Sequence, residues 1–488
     1  MSRASGADRG PLVVVGDVML DVDLVGRAER LSPEVPVPVI VDADRRERPG
    51  GAALAALLAA RSGARVILIA ALADDDAARR ISDLLAREVE LIGLPWGGTT
   101  PVKTRVRAGD HAVTRLDSGG TAGVIGPVPT AAVTALRSAA AVLVADYGRG
   151  VAADPQVREL LTACAAAAPL VWDPHPRGPE PVPGARLVTP NETEAAQWGP
   201  SAGGSRSPDG PRPAAAGAAA DGRRLRTRWS AGAVAVTLGA RGALLVSGPG
   251  APLAVPAPAV AGGDTCGAGD AFAAAATVAL AAGQLPSEAV AAAVAEAAGF
   301  VAAGGAAGVE PADRRAAVEA PPAGAGPDPT NRASGRHAAE EPLTEVLARV
   351  RARGGRVVAT GGCFDLLHAG HVATLEAARA LGDCLVVCLN SDASIRRLKG
   401  PGRPLQNQAD RVRLLAALRY VDAVTVFDED VPNEVLRRVR PDLWVKGGDY
   451  TGAELPEATV LAEWSGEVVT LPYLAGRSTT SLVDQARG

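Results

Sequence analysis

Two short segments of the chain hold residue types that could do chemistry on phosphate groups. In the first, Gly262-Gly-Asp-Thr-Cys-Gly-Ala-Gly-Asp270 runs directly into an alanine-rich stretch that predicts a helix. Small residues before a helix let backbone N–H groups approach an anion closely, and the helix dipole adds to the attraction. Gly267, Ala268 and Gly269 would form this anion site. Asp270 would repel a phosphate there, so it is better suited to accept a proton from a substrate hydroxyl, unless it only caps the helix.

The second segment, Gly361-Gly-Cys-Phe-Asp-Leu-Leu-His-Ala-Gly-His371, holds two of the chain's five histidines. A strand is predicted just before it and a helix just after it, so His368 and His371 lie at the start of a helix. At that spacing both imidazoles can face one anion. A zinc site is the alternative, but no carboxylate or thiol falls at a metalloprotease-like spacing.

Length and charge limit the classes of function. The chain has 488 residues, which indicates more than one domain, because single cores stop growing near about 250–300 residues. Its 50 basic and 54 acidic residues provide no basic field for binding nucleic acid. The first apolar run, residues 12–15, is too short for a signal sequence or a membrane span. We therefore expect a cytoplasmic protein with no nucleic-acid or membrane partner.

Short apolar runs alternate with alanine-rich stretches, which indicates an α/β fold with sheets covered on both faces. The pattern stops at a Pro/Gly/Ala stretch, so the predicted domains are residues 1–318 and 342–488, joined by a flexible linker over 319–341. The segment Gly199–Gly222 predicts a disordered surface loop. The five cysteines form no C-x-x-C pair and read as reduced thiols, mostly in cores.

The first glycine-rich segment is accompanied by other motifs in a fixed order. Asp264-Thr-Cys-Gly-Ala-Gly-Asp270 resembles the C-terminal signature of the ribokinase-like (PfkB) sugar kinases. Gly16-Asp-Val-Met-Leu-Asp21, Pro49-Gly-Gly51 and Thr189-Pro-Asn-Glu-Thr-Glu194 are similar to that family's earlier motifs. Each motif alone is at least as consistent with a turn, a helix start or a cap. Together they favour a kinase.

This resemblance implies roles for residues outside the glycine-rich segment. Asp17 and Asp21 would bind sugar hydroxyls, while Gly50 and Gly51 would let the lid and the sugar approach. Residues implied to organise Mg²⁺ and the nucleotide are Asn191, Glu194, Thr237, Gly239 and Gly242. Of these, Glu194 would act on the metal indirectly, through water.

The histidine segment resembles the H-x-G-H motif of the nucleotidylyltransferase superfamily. That resemblance implies that a sugar phosphate attacks the α-phosphate of ATP directly and that pyrophosphate leaves with Mg²⁺. His368, His371 and Lys399 would stabilise the charge. Residues implied to close over the nucleotide and the sugar phosphate are Thr360, Gly361, Phe364, Asp365, Asn390, Asp392, Arg411, Lys446, Gly447, Ser478, Thr479 and Thr480.

Lysine is rare in this chain, since only Lys103, Lys399 and Lys446 stand among its 50 basic residues. Lys399 and Lys446 both fall in the motifs of the second domain. Lys103 lies in the predicted kinase, where it could grip a distal phosphate of the sugar together with Arg105. A compact ammonium and a guanidinium are not interchangeable at a tight phosphate site, so these lysines could have been retained for their chemistry. The simpler interpretation is that the three lysines remain by chance.

The whole arrangement, a ribokinase-like domain followed by a smaller Rossmann-like nucleotidylyltransferase domain, is similar to one bifunctional family. That family is D-glycero-β-D-manno-heptose 7-phosphate kinase / heptose 1-phosphate adenylyltransferase. The resemblance implies phosphorylation at O1 to the 1,7-bisphosphate, removal of the 7-phosphate by a separate phosphatase, and adenylyl transfer giving ADP-heptose. It also implies ATP as co-substrate, Mg²⁺ as cofactor and a homodimer formed through the kinase domain.

Two positions depart from the family pattern. Leu54 stands where the family usually has Asn, and His175 replaces a basic residue expected after Asp173-Pro174. Two other interpretations stay open. One keeps both chemistries but acts on another sugar or polyol phosphate, with CTP in the second domain. The other is a nucleotide-sensing protein that binds without turnover.

Overall fold

The computed structural model describes residues 10–33, 35, 37–109, 111–121, 123–198, 215–260, 262–309, 343–447 and 455–472. Contacts between Cα atoms divide the chain into two compact units. The described part of the first unit runs to Trp198 and continues with Leu225–Ala240 and with the residues from Ala257 to Val309. The second unit includes Arg241–Pro256, which the sequence analysis placed in the first domain. The predicted linker lies outside the described residues.

The first unit is built on a parallel sheet whose strands are almost entirely apolar and buried, as expected for a sheet covered on both faces. Its strands, in the order in which they pair, run β11-β10-β9-β8-β1-β4-β5. The strands of this unit are β1 Leu12–Gly16, β2 Val18–Leu31, β3 Pro38–Gly51, β4 Val66–Leu72, β5 Glu90–Pro95, β6 Val102–Ala108, β7 His111–Ser118, β8 Ala141–Ala145, β9 Leu170–Asp173, β10 Leu187–Val188 and β11 Val234–Thr237.

A separate four-stranded sheet in the first unit has the order β3-β2-β6-β7. Strand β2 pairs antiparallel with β3 and parallel with β6, so Asp21 lies beside Arg48 on one side and Lys103 on the other. Helices pack around the sheets of this unit. They are α1 Ala52–Arg61, α2 Asp76–Leu85, α3 Thr130–Arg137, α4 Pro155–Ala167, α5 Glu192–Gln197, α7 Ala268–Ala281 and α8 Pro286–Ala302. Of helix α6 Ala215–Arg228, only the residues from Leu225 onward belong to this unit.

Helix α6 corrects the prediction of a disordered loop over Gly199–Gly222. Its first residues, from Ala215, are helical rather than disordered, whereas residues 199–214 lie outside the described part of the chain. Alanine has the highest helix propensity, and Ala218 and Ala219 are buried in the core. Composition alone suggested low complexity, because alanine serves both loops and buried helix faces.

The second unit has a smaller parallel sheet in which five strands pair in the order β16-β15-β14-β17-β18. The strands of this unit are β12 Ala243–Val246, β13 Leu253–Val255, β14 Val357–Gly362, β15 Cys384–Asn390, β16 Ala423–Phe427, β17 Leu443–Gly447 and β18 Glu467–Leu471. Its helices are α9 Leu343–Ala352, α10 Ala369–Ala380, α11 Asp392–Lys399, α12 Gln408–Ala416, α13 Asn433–Val439 and α14 Glu457–Ala462.

Most predicted elements coincide with observed ones. The apolar runs Ala141–Ala145, Leu170–Asp173 and Ala423–Phe427 predict strands, and β8, β9 and β16 have these limits. The predicted helices after Asp270 and His371 correspond to α7 and α10, which begin a few residues earlier. All five cysteines are free thiols, and three of them are buried. None of the helices in the described residues is both long enough and apolar enough to span a bilayer.

Candidate active sites

The first candidate site lies at the carboxyl ends of the parallel strands of the first unit, where ligands bind in open α/β sheets. Helix α7 starts there directly after Gly267, whose φ of +81° is a left-handed conformation that favours glycine. A Cβ on Gly267 would stand 2.7 Å from the Leu54 side chain. Gly267 therefore has no room for a larger residue, whereas no heavy atom lies within 4 Å of a Cβ built on Gly269, and Asp270 follows in the first helical turn.

Asp270 is buried, with 6% of its surface exposed, and accepts a hydrogen bond on Oδ1 from the Tyr147 hydroxyl at 2.7 Å. Burial raises the pKa of Asp270 to about 7, although the Tyr147 hydrogen bond and the nearby Lys103 ammonium favour the carboxylate. Asp21 acts in the opposite direction, since its negative charge raises the pKa of Asp270 further. A group with this pKa can accept a proton near neutral pH.

Asp17 follows β1 and uses its carboxylate to hold a neighbouring loop. Its oxygens accept hydrogen bonds from the backbone N–H groups of Tyr147, Arg149 and Val151 at 3.0, 2.9 and 3.2 Å. Asp17 is buried, so the structure places this predicted sugar ligand in contact with the loop that follows β8.

Asp21 is buried on β2 and forms an ion pair with Arg105 of β6, with 2.9 Å between Nη1 and Oδ1. Arg105 also contacts the Cys266 thiol at 3.4 Å. A Cβ on Gly50 would lie 2.7 Å from Oδ2 of Asp21, which explains glycine at that position. The structure thus brings together three residues of the predicted sugar site, namely Asp21, Gly50 and Lys103. Arg105, which was predicted to grip a phosphate, forms an ion pair with the Asp21 carboxylate.

Gly51 and both departures from the family pattern, Leu54 and His175, lie in the same region. Gly51 has a φ of +63° and would place a Cβ 2.6 Å from the Asp17 carbonyl oxygen. Leu54 is 2% exposed in α1 and packs against the turn at Gly267. The apolar side chain of Leu54 therefore supports the turn that precedes α7. His175 accepts a hydrogen bond on Nδ1 from the Arg177 backbone, and burial lowers its pKa.

Asn191 and Glu194 form a reciprocal capping box at the start of α5. The Asn191 side chain accepts a bond from the Glu194 N–H, and Glu194 accepts one from the Asn191 N–H, both at 2.9 Å. Burial raises the pKa of Glu194. Asn191 also forms a parallel bridge with Thr237, at the end of β11, so the capping box and the predicted nucleotide turn are adjacent.

The predicted nucleotide turn has a conformation that requires glycine at two positions. Gly239 and Gly242 have φ values of +62° and +93°; Gly239 begins the single 3₁₀ turn Gly239–Arg241, and Gly242 follows it. No heavy atom lies within 4 Å of the position that a Gly239 Cβ would occupy. The backbone is therefore open on that side, as contact with a ligand would require.

Carboxylates near Glu194 give the site a chemistry that suits Mg²⁺. Burial, together with the negative charges of Asp17 and Glu194, raises the pKa of Asp146 to about 7, and its buried Oδ2 has no hydrogen-bond partner. Asp173 has its pKa raised well above the usual range by burial and by Glu194 and Asp270. A hard cation with oxygen ligands would relieve this repulsion. Among the described residues, no group of three or more His, Cys, Asp or Glu side chains is placed to hold a metal ion.

The second candidate site lies at the start of α10. His368 is the N-cap residue of this helix, and its Nδ1 accepts a hydrogen bond from the Gly370 N–H at 3.1 Å. The imidazole rings of His368 and His371 stack with centroids 3.9 Å apart and 26° between their planes. The structure therefore brings the two predicted catalytic histidines together at a helix N-terminus.

Burial, together with the smaller effects of the neighbouring His368 and Lys399, lowers the pKa of His371 to about 4. His371 is therefore neutral at pH 7. Phe364 packs against its ring at a centroid distance of 5.3 Å and adopts a φ of +44°, which is uncommon for an aromatic residue. Phe364 thus supports the histidine pair.

Some residues that were predicted to bind ligands also make contacts within the protein that support the second site. Asp365 is buried, pairs with Arg403 at 2.8 Å and accepts a hydrogen bond from the Leu405 N–H. These partners lower the pKa of Asp365 against the effect of burial. Asp365 therefore fastens the turn before α10 to the loop that precedes α12.

Arg411 is fully buried, with no exposed side-chain surface. Its guanidinium donates to Asp392 and to the carbonyl oxygens of Cys363 and Asn390 at 2.7, 2.7 and 3.0 Å, and its Nε donates to the carbonyl oxygen of Gln406. The prediction placed Arg411 and Asp392 on the nucleotide. The structure directs them to each other, because a buried guanidinium must satisfy its donors within the protein.

Other predicted residues of the second site lie along the ends of its strands. The Thr360 hydroxyl donates to the Val445 carbonyl at 2.8 Å, and Asn390 is buried and donates to the Ser394 hydroxyl at 3.1 Å. A Cβ on Gly361 would clash with Trp444. The close approach of β14 and β17 therefore explains glycine there.

The two lysines of the second site differ in environment. Lys399 ends α11, is exposed, and lies close enough to His371 to influence its charge. Lys446 lies on β17 and pairs with the buried Glu457 at 2.8 Å, while Gly447 is exposed. Ser478, Thr479 and Thr480 lie outside the described residues.

The sequence analysis missed Tyr147, which donates hydrogen bonds to both Asp17 and Asp270. The sequence analysis also missed Glu457 and Arg403. Glu457 pairs with Lys446 and Arg403 pairs with Asp365, and neither pair joins neighbours in the sequence. For Tyr147 one signal was present, namely its position two residues after a fully buried strand, at the edge where Asp17 also lies.

Comparisons with known proteins assign both units to families. Residues 11–313 match the pfkB family carbohydrate kinases, and residues 359–481 match the cytidylyltransferase-like family. The bifunctional protein HldE of Streptomyces coelicolor is 56% identical over 98% of this chain and 97% of its own length. HldE of Azorhizobium caulinodans is 41% identical over 98% of both chains. A ribokinase from Arabidopsis thaliana, solved with ribose and ATP, is 21% identical, with a TM-score of 0.46 over 60% of this chain and 93% of its own.

Proposed function

The chain belongs to the family of bifunctional HldE proteins, and on that premise we propose which of its residues carry out its two reactions. The family relation confirms the resemblance found in the sequence, to heptose 7-phosphate kinase / heptose 1-phosphate adenylyltransferases, and so a kinase and a nucleotidyltransferase in one chain. The observation that carries the proposal is the buried carboxyl of Asp270, placed directly after a glycine turn at the start of α7.

In the kinase reaction, Asp270 takes the proton from O1 of heptose 7-phosphate. The oxygen then attacks the γ-phosphoryl group of ATP, and the products are the 1,7-bisphosphate and ADP. The backbone N–H groups from Gly267 to Gly269 bind the transferring phosphoryl oxygens, and the dipole of α7 adds favourable charge. Little covalent chemistry is needed from the protein, since positioning and electrostatics supply most of the rate enhancement.

In this proposal the distal phosphate of the sugar is held by Lys103. Burial lowers the pKa of Lys103, and the neighbouring cations Arg105 and Arg149 add to the effect. An anion bound there would relieve this repulsion. Because Arg105 is paired with Asp21, the second cation at the phosphate is more simply supplied by Arg149, which lies in the loop held by Asp17.

Mg²⁺ belongs to the proposal as an indirectly bound ion. Glu194, with Asp146 and Asp173 nearby, would hold it through water together with the phosphates of ATP. When bound, the ion supplies positive charge that neutralises the β- and γ-phosphates of the nucleotide. Asn191 keeps Glu194 in place through the capping box, while Thr237, Gly239 and Gly242 line the path of the nucleotide.

In the second reaction, an oxygen of heptose 1-phosphate attacks the α-phosphate of ATP, and pyrophosphate leaves. No protein group acts as a nucleophile. His371 is neutral and can donate a hydrogen bond to an oxygen of the α-phosphate under attack. His368 lies beside it, and Lys399 adds positive charge. The 7-phosphate must be removed between the two reactions, so a separate phosphatase acts on the first product.

The proposal also includes the compartment in which the enzyme acts and its oligomeric state. Both reactions consume ATP, which favours the cytoplasm. A homodimer through the kinase domain is proposed from the family resemblance alone, and sedimentation of the full chain would test it: a monomer at micromolar concentration contradicts this part.

The deciding experiment follows products by mass spectrometry. The full chain is incubated with heptose 7-phosphate, ATP and Mg²⁺, with and without a bisphosphate phosphatase. We expect the 1,7-bisphosphate alone without phosphatase and ADP-heptose with it. A parallel reaction with CTP tests the alternative nucleotide. Formation of a CDP-sugar but no ADP-sugar would overturn the adenylyl assignment, and the absence of both ADP and pyrophosphate would favour a sensor.

A further inference from the structure

Tyr147 connects two carboxylates of the kinase site. Its backbone N–H donates to Asp17 at 3.0 Å, and its hydroxyl donates to Oδ1 of Asp270 at 2.7 Å. The two contacts join the end of β1 to the start of α7, although Tyr147 and Asp270 are 123 positions apart in the sequence. One side chain thus fixes the Asp270 carboxyl relative to the sheet edge.

The hydrogen bond from Tyr147 is also selective between the two oxygens of Asp270. Within the described residues, Tyr147 provides the only hydrogen bond to this carboxyl, and it occupies Oδ1. Oδ2 is left to receive a proton from the substrate. Tyr147 is half-buried, and desolvation of its hydroxyl, together with the negative charges of Asp270 and Asp173, raises its pKa well above the usual range, so the phenol remains a donor.

We propose that Tyr147 is a positioning residue for the kinase base, holding Oδ1 of Asp270 so that Oδ2 faces the sugar hydroxyl. The inference rests on the proposed role of Asp270 as the base. Tyr147 acts through Asp270 and does not touch the reacting atoms.

Charged and titratable groups from each neighbouring element face Asp270, and they set the background for a pH test. Asp21 on β2, Lys103 on β6 and Asp173 on β9 all act on it, together with Tyr147. Asp21 raises the pKa of Asp270, whereas Lys103 and Tyr147 lower it. Removing only the Tyr147 hydroxyl leaves the other groups in place, so any change in the pH profile reports this one contact.

The first test is Tyr147→Phe in the full chain. We expect kcat of the kinase to fall by about 10- to 100-fold, with the KM for heptose 7-phosphate changing less than about threefold. The acid limb of kcat/KM should move to higher pH by about one pH unit, because the carboxylate loses a hydrogen bond that favours its charged form. Tyr420→Phe, at an exposed hydroxyl of the other unit, is the matched control and should leave the kinase unchanged.

A second test leaves the packing nearly intact and does not depend on the folding of Tyr147→Phe. Biosynthetic 3-fluorotyrosine replaces all four tyrosines, and its more acidic phenol is the stronger donor. The acid limb should then move to lower pH, opposite to the change caused by phenylalanine. The same labelling of the Tyr147→Phe protein should produce no shift if Tyr147 is responsible.

These results separate the positioning role from other outcomes. A kcat within twofold of the unsubstituted enzyme with an unmoved acid limb overturns the inference. So does a loss of kcat without any shift of the limb, which a purely structural role would produce. Asp270→Asn measured alongside tests the base itself: if that variant is inactive while Tyr147→Phe is normal, only the inference on Tyr147 fails.

Discussion

The imidazole rings of His368 and His371 lie face to face, with their centroids 3.9 Å apart, at the N-terminus of α10. Two cationic rings at this separation would repel each other, and burial disfavours the charged form further. The pKa of His371 near 4 follows from these causes. The pair therefore presents a neutral donor next to Lys399, which supplies the positive charge.

This arrangement predicts the behaviour of His371→Ala. Adenylyl transfer should fall by about 10²–10³-fold, because a donor aimed at developing charge is lost, while kinase activity stays unchanged. His111→Ala, at an exposed histidine on β7, is the control and should affect neither the histidine pair nor adenylyl transfer. Pyrophosphate release measures the reaction. Adenylyl transfer within threefold of the original rate would remove His371 from the mechanism.

Asp270 predicts the pH dependence of the kinase. Burial raises its pKa to about 7, so the carboxyl is increasingly protonated below that pH and can no longer accept the substrate proton. The value of kcat/KM should therefore fall about tenfold for each pH unit below this point and level off above it. Asp270→Asn should lose kinase activity by orders of magnitude while still transferring adenylyl groups. Retention of near-normal kinase turnover in that variant contradicts the assignment.

Lys103 predicts a selective effect on substrate binding. Lys103→Ala should raise the KM for heptose 7-phosphate by about 10-fold or more and leave the KM for ATP nearly unchanged, because only the sugar carries the distal phosphate. Arg107→Ala, further along β6 on the same sheet, is a suitable control. If both KM values rise equally, Lys103 contacts the nucleotide instead.

Lys399 tests whether a compact ammonium is needed in the second site. Lys399→Arg keeps the charge but spreads it over a planar group, so adenylyl transfer should fall by about 10-fold or more. Arg396→Lys, an exposed position on the same helix, makes the reverse exchange and should be silent. Full activity of Lys399→Arg would show that any cation suffices there.

Much of the architecture could be predicted from the sequence because it depends on local patterns. The buried strand β8 is a continuous apolar run, and the turn at Gly267 combines small residues with a helix that follows. The contacts of single side chains could not be predicted in the same way. The bond between Tyr147 and Asp270, or between Arg105 and Asp21, joins distant parts of the chain, and no spacing rule connects them.

At Arg411 a structural role can be distinguished from a binding role. The sequence suggested that Arg411 binds the nucleotide, and the structure shows it in a buried ion pair with Asp392. Arg411→Met should reduce the free energy of unfolding of the second unit by about 3–5 kcal/mol, because Asp392 and three carbonyl groups lose their donor. Arg413→Met, an exposed position on the same helix, is the matched control.

Both Arg411 and Arg413 variants are compared by thermal unfolding and by the KM for ATP at a temperature where each remains folded. A structural role predicts a large loss of stability and a KM for ATP within about threefold of the original, since the guanidinium has no surface from which to reach a ligand. A strongly raised KM with unchanged stability would instead require Arg411 to turn toward the nucleotide when it binds. Such a turn would break four hydrogen bonds, so the structure favours the first result.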